Sequence, residues 1–155
     1  MIYTSRYSNP MLRSGDYVAV RISVGKPKWD LGYALNCEIK ALMPFGLRDI
    51  SKAEFTEKYR QRLENTGTDN FAQGFAAIRN RFPNKDIVLL CYEDIRNGDK
   101  WCHRTMFADW WFDKTGVSID ELPDDSKTAS KPSQDDISQS EQSNTTTHTE
   151  QLTMF

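Results

Sequence analysis

A chain of 155 residues with a net charge of −2 and a hydrophobic fraction of 38% has room for one domain of ordinary size and an appendage. The near-neutral balance excludes a protein that grips nucleic acid by bulk charge, and no apolar run approaches the roughly 20 residues that cross a bilayer, so no membrane partner is expected. Three widely spaced cysteines exclude a disulfide framework, and with no charged-then-apolar leader ahead of MIYTSRY the expected compartment is a reducing cytoplasm.

In chain order, MIYTS and Asp16 to Ser23 are rich in β-branched and aromatic residues and predict two strands separated by a Pro-containing loop. VGKPKWDLGY is punctuated by Gly25, Pro27 and Gly32 and reads as loop. ALNCEIKALMPFGL fits a short strand or an irregular crossing segment. SKAEFTEKYRQRLEN is a helix: Ser51 and Glu54 form a capping box, and Ala53, Phe55, Tyr59 and Leu63 recur at helical spacing. A second helix is expected around Phe71–Phe82, where Phe71, Phe75, Ile78 and Phe82 form one stripe that packs as core. Asp86 to Asp94 is the strongest strand, apolar on both faces, as in a parallel or mixed sheet. A third helix runs from about Cys102 to Lys114, and 116–122 adds a last small element. The expected domain is therefore α/β over residues 1–122, a short, mostly parallel or mixed sheet flanked by helices in a Rossmann-like arrangement.

The composition changes after Leu122. Residues 1–122 carry a balance of +2, whereas 123–155 carry −4, and between Pro123 and Glu150 only Ile137 is large and apolar. Such a stretch cannot bury enough surface to offset its conformational entropy, so 123–150 is expected to be a disordered linker.

In sheets of this kind ligands sit at the carboxyl ends of strands, beside the N-termini of the following helices. Glu93 lies just past the strongest strand, and Cys102, His103 and Arg104 open the next helix. A helix start attracts anions and lowers a thiol pKa. Cys102 is thus a candidate nucleophile or polar liner, and His103 and Glu93 are candidate acid–base groups. Arg104 and Arg21 are candidates to hold phosphate. Trp29, Lys28 and Trp101 are placed to stack on a base or to anchor loops. A zinc site drawn from Cys37, Cys91, Cys102 and His103 lacks C-x-x-C spacing. Neighbouring Cys102 and His103 on a helix would also point about 100° apart. No metal and no cofactor are expected.

MIYTSRYSN, VAVRIS and LLCYED…WCHRTMFADW together resemble the bacterial family called "domain of unknown function 488", over roughly residues 1–115. The resemblance implies a Rossmann-like fold and an enzyme. Carried over by position, it points to Thr4 and Ser5 after the first strand, to Arg21, and to Cys91, Glu93, Cys102, His103 and Arg104. The first motif departs from the family's Thr-Ile-Gly-His-Ser: this chain has Thr-Ser-Arg-Tyr-Ser, without the histidine and the glycine.

The chain finishes on QLTMF, residues 151–155, which resembles the pentapeptide Gln-Leu-Ser/Asp-Leu-Phe by which bacterial replication and repair proteins bind the sliding clamp. The resemblance implies that Gln151 hydrogen-bonds the clamp while Leu152, Met154 and Phe155 fill its apolar pocket; Thr153 stands at the serine or aspartate position. A flexible linker of this length reaches about 30 Å. The expectation is an enzyme acting on nucleic acid or nucleotides, with the sliding clamp and DNA or a nucleotide as partners. The alternative is a non-catalytic clamp adaptor or phosphate-ligand-binding module.

Overall fold

The computed structural model describes residues 1–127 and the backbone of Leu152–Met154; residues 128–150, and with them most of the expected linker, lie outside the described residues, as do Gln151 and Phe155. The strands are β1 (Ile2–Arg6), β2 (Tyr17–Arg21), β3 (Cys37–Ile39), β4 (Asp86–Cys91), β5 (Asp120–Glu121) and β6 (Leu152–Met154), and the helices are α1 (Lys52–Thr66), α2 (Thr68–Arg81) and α3 (His103–Thr115). Among the described residues every strand pairing is parallel, in the order β5-β1-β4-β2-β3-β6. The α/β class holds. The ambiguous segment resolves into β3 followed by one turn of 3-10 helix at Lys40–Leu42.

β4 is central, bonded to β1 on one side and β2 on the other, which is why its sequence is apolar on both faces. Ile87 and Leu89 face one core with Val18, Val20 and Ile22; Val88 and Leu90 face a second with Ala19, Leu31 and Leu35. The helices all lie on the first face. Parallel crossovers are right-handed, so connections that step across the sheet in opposite directions fall on opposite faces. The steps from β3 to β4 and from β4 to β5 run one way and carry the helices. The steps from β1 to β2 and from β2 to β3 run the other way and carry loops and a short 3-10 helix at Pro10–Ser14, which deliver Leu12, Leu31 and Leu35 to the second core.

Half of the predicted capping box forms: Ser51 Oγ accepts from the Glu54 backbone N–H at 3.1 Å, while the Glu54 carboxylate pairs with Lys58 at 2.8 Å. α1 buries Phe55, Tyr59 and Leu63, and α2 buries Phe71, Phe75 and Ile78. Between them the chain turns at Gly67, with φ of 81°, a conformation that a Cβ would strain. The aromatic stripe of α2 meets α3 edge to face, with Phe71 and Phe107 rings 5.3 Å apart and Phe75 and Trp111 rings 5.6 Å apart. Each such buried side chain stabilises the fold by roughly 1.5–3 kcal/mol.

The boundary expected at Leu122 moves outward. Arg6 Nε donates to Asp124 at 2.7 Å and Arg6 Nη2 to Ser126 Oγ at 2.6 Å, while Arg96 Nη1 reaches the carbonyls of Asp124 and Ser126. Residues 123–127 therefore belong to the domain. Polar composition masks this, because the segment is held by guanidiniums and not by apolar burial.

Candidate functional site

The carboxyl ends of β2, β3 and β4 open on one side of the sheet, and the loops that leave them wall a pocket of about 750 Å³. Ser23, Val24 and Gly25 follow β2; Pro44, Leu47 and Arg48 follow β3; Cys91, Tyr92 and Glu93 end β4; and Asp99 through His103 lead into α3. This is the crevice in which parallel sheets bind ligands.

The walls are tied down by polar contacts. Arg21 Nη1 donates to the carbonyls of Ser23 and Val24 at 3.2 and 2.7 Å. Tyr7 and Ser23 hydroxyls share a hydrogen bond of 2.5 Å, and Tyr92 OH donates to the Gly25 carbonyl at 2.7 Å. Trp101 packs edge to face on Phe55 at 4.9 Å, and the two rings form the aromatic side of the pocket. Exposed Arg48 and Lys100 supply cations.

At its floor sit Cys91, Cys102 and His103, all buried. His103 Nε2 lies 2.8 Å from the Ile22 carbonyl oxygen. A carbonyl only accepts, so Nε2 carries a proton and Nδ1 is the ring nitrogen left to face the pocket floor. Nδ1 faces both sulfurs, Cys91 Sγ at 3.7 Å and Cys102 Sγ at 3.8 Å. The Tyr59 ring stands against the imidazole at 5.5 Å and 82°, blocking its rotation, and Tyr59 OH is itself anchored on the Leu42 carbonyl at 2.7 Å.

The expectation that Cys102 and His103 diverge by about 100° fails for a local reason. Cys102 is the N-cap of α3, with φ of −143° and ψ of 145°, and lies outside the helical spiral. Its extended backbone swings Sγ back beside the imidazole.

The two thiols are shifted in opposite directions. Burial by itself pushes the Cys102 thiol up, but the hydrogen bond from Cys91, the contact with His103 and the charges of His103 and Arg104 together hold it well below its ordinary value. Cys91 is pushed up, first by its hydrogen bond to Cys102 and then by burial and the nearby charges of Cys102 and Glu93. Glu93 is raised by burial and by the neighbouring Cys102 charge; its Oε2 lies 3.3 Å from Cys91 Sγ.

Cys102, His103 and Glu93 thus come together in the pocket, with Cys91 beside them. The residues expected to hold phosphate do not join them. Arg104 is 0% exposed and forks onto Glu121, with Nη2 at 2.8 Å and Nε at 3.2 Å from its carboxylate. Arg21 pairs with Glu38 through Nη2. Both guanidiniums meet carboxylates of the domain in place of an incoming anion. One nitrogen of each, Arg104 Nη1 and Arg21 Nε, has no hydrogen-bond partner among the described residues. Thr4 Oγ1 donates to Glu121 at 2.6 Å and Ser5 Oγ accepts from Asn9 at 3.0 Å, so both serve the β1–β5 side. Trp29 lies against Tyr92 at 5.9 Å, outside the pocket lining. Arg48 and Lys100 escape a reading of the sequence, because their position depends on loops that carry no motif.

Of the terminal pentapeptide, Leu152–Met154 forms β6, with Cys37 opposite Leu152 and Ile39 opposite Met154. Among the described residues no helix is long and apolar enough to cross a membrane.

Comparison of the chain with protein-family models, with curated proteins and with solved structures gives no match in any of the three.

Proposed function

We propose that this domain is an enzyme acting on nucleotides or nucleic acid, with Cys102, His103 and Glu93 at the reacting end of its pocket. One observation carries the reading: a cluster of sulfur, imidazole and carboxyl groups sits on the floor of a cleft whose rim offers both aromatic faces and cations. The cleft volume of about 750 Å³ suits a nucleotide-sized ligand. Trp101 and Phe55 are the faces for a base, and Lys100 and Arg48 take the phosphate role expected of Arg104 and Arg21. Glu93, at the edge of the cluster, is the group that exchanges a proton with the substrate.

The resemblance of residues 151–155 to a clamp-binding pentapeptide supports delivery of this enzyme to replicating or repaired DNA. Pairing of Leu152–Met154 with β3 adds a condition, since a peptide held in the sheet must leave it to enter a partner's pocket. Clamp binding and β6 formation are mutually exclusive in this scheme.

A second reading, a non-catalytic module that binds a phosphorylated ligand or the clamp, is favoured by the burial of Cys102, which is 2% exposed. Titration calorimetry of the intact protein with nucleoside monophosphates, nucleoside triphosphates and a single-stranded oligonucleotide tests the substrate class. The expected result is micromolar binding of at least one of them, weakened about tenfold by Trp101→Ala, as loss of one stacking contact implies. Binding by none of the three overturns the substrate class, and binding without turnover favours the second reading. Binding to a bacterial sliding clamp, abolished by joint Leu152→Ala and Phe155→Ala changes, is the parallel test of the tail.

A further inference from the structure

We infer that Cys91, Cys102 and His103 form a binding site for a soft divalent metal ion, zinc in the first place, with its remaining coordination position turned to the pocket. The ligand atoms, Cys91 Sγ, Cys102 Sγ and His103 Nδ1, all lie within 4.8 Å of one another. A tetrahedral zinc ion with Zn–S of about 2.3 Å and Zn–N of about 2.0–2.1 Å sets its sulfur and nitrogen ligands roughly 3.6 Å apart. The sulfur-to-Nδ1 distances here are 3.7 and 3.8 Å. Both sulfur-to-nitrogen edges thus match a tetrahedral ion, and the sulfur-to-sulfur edge lies within 4.8 Å.

The surroundings are those of a ligand set. A metal-bound histidine usually donates its other ring N–H to a fixed acceptor, which sets the tautomer and aims the lone pair. His103 does this through Nε2 and the Ile22 carbonyl. The Tyr59 ring holds the imidazole plane. The ligands come from rigid places, the last residue of β4 and the first turn of α3 with its cap. Two thiolates and one neutral imidazole make a soft donor set that selects zinc over magnesium or calcium. Cysteine ligates a metal as thiolate, so uptake of the ion releases protons.

Two sulfurs and one nitrogen leave one tetrahedral position, and Glu93, 3.3 Å from Cys91 Sγ, stands beside it in the pocket lining. Three protein ligands with an open fourth position are the form of a catalytic zinc site, where a bound water becomes a nucleophile near neutral pH. The reaction class this implies is hydrolytic. The inference shares the proposed active site and rests on that reading only for what the metal acts upon. Loss of nucleotide binding with metal retained removes the substrate class, and the reverse removes the metal.

The test is metal content. The full chain, purified under reducing conditions, is stripped with a chelator, given zinc(II) alone, desalted and measured by elemental mass spectrometry. One zinc per chain is expected, with cobalt(II) in its place giving an intense sulfur-to-metal charge-transfer band. Cys91→Ser and Cys102→Ser should each lower affinity at least a hundredfold. Cys37→Ser, which alters the buried cysteine of β3 outside the cluster, should keep full stoichiometry. Circular dichroism separates metal loss from misfolding, and His103→Gln provides a further ligand deletion. A folded, fully reduced protein that takes up no zinc overturns the inference, as does zinc retained by both serine variants.

Discussion

His103 Nε2 meets the Ile22 carbonyl at 2.8 Å, and this one contact decides what the rest of the site can do. It joins the chain leaving β2 to the start of α3 and turns Nδ1 toward two sulfurs. In nitrogen-15 NMR, Nε2 should show the shift of a protonated nitrogen. An Nε2 without a proton would contradict its bond to the Ile22 carbonyl and remove the orientation on which the metal site depends.

The Arg104–Glu121 pair ties the first turn of α3 to β5. The Arg104 side chain is 1% exposed and the Glu121 side chain 32%. Glu121→Ala leaves a buried guanidinium without its carboxylate. Breaking a fully buried pair costs roughly 3–5 kcal/mol, and partial solvation of Glu121 brings the expected loss to about 2–3 kcal/mol. Urea unfolding measures it. Arg104→Met, which removes the charge and keeps much of the volume, should cost less than Glu121→Ala.

Acid should loosen the segment 123–127 before the core. Hydrogen bonds from Arg96 hold the Asp94 carboxyl well below its usual range, and Arg6 and Ser126 lower that of Asp124 against the opposing effect of burial. Carboxyls depressed on folding contribute stability above their unfolded values, near 3.9, and lose it as pH falls through the folded ones. The stability contributed by Asp94 and Asp124 should therefore be flat above about pH 5 and decline below about pH 4. Joint Asp94→Asn and Asp124→Asn changes should lower stability at neutral pH and flatten the acid slope. An unchanged slope in the double variant would place the acid sensitivity elsewhere.

Phe107 is 0% exposed and touches the rings of Phe71, Phe75, Trp110 and Trp111. Phe107→Ala should cost about 3–5 kcal/mol in urea unfolding, the range for removing a buried phenyl ring. A loss under about 1 kcal/mol would mean that α2 and α3 do not pack as described.

Removal of residues 151–155 frees the outer edge of β3. Amide exchange across Cys37–Ile39 should accelerate on the order of tenfold, because an edge strand opens more readily than a paired one. The same acceleration on adding a saturating clamp to the intact protein would show that the tail leaves the sheet to bind.

Much of this architecture is legible in the residues. Ser51 and Glu54 mark the start of α1, the unbroken apolar run of β4 marks a central parallel strand, and Cys-His-Arg marks a helix start beside Glu93. What escapes is whatever depends on a partner distant in the chain. Nothing in the spacing of Arg104 and Arg21 says that Glu121 and Glu38 neutralise them, since strand order brings those carboxylates near. The convergence of Cys91, Cys102 and His103 escapes for a subtler reason. Helical geometry separates adjacent side chains by about 100°, but it governs only residues inside the spiral. Cys102 is an N-cap in extended conformation, so a helix that starts one residue later brings together two side chains that would otherwise diverge. Asp124 and Ser126 escape because composition distinguishes apolar from polar segments and is blind to a polar segment held by ion pairs.

X-ray absorption at the zinc edge of the reconstituted protein tests the centre most directly. The expected first shell holds two sulfurs at about 2.3 Å and nitrogen or oxygen ligands at about 2.0–2.1 Å, with the imidazole outer-shell pattern of His103. A shell of oxygen and nitrogen alone would place the metal elsewhere on the protein and leave the Cys91–Cys102–His103 cluster without the role inferred for it.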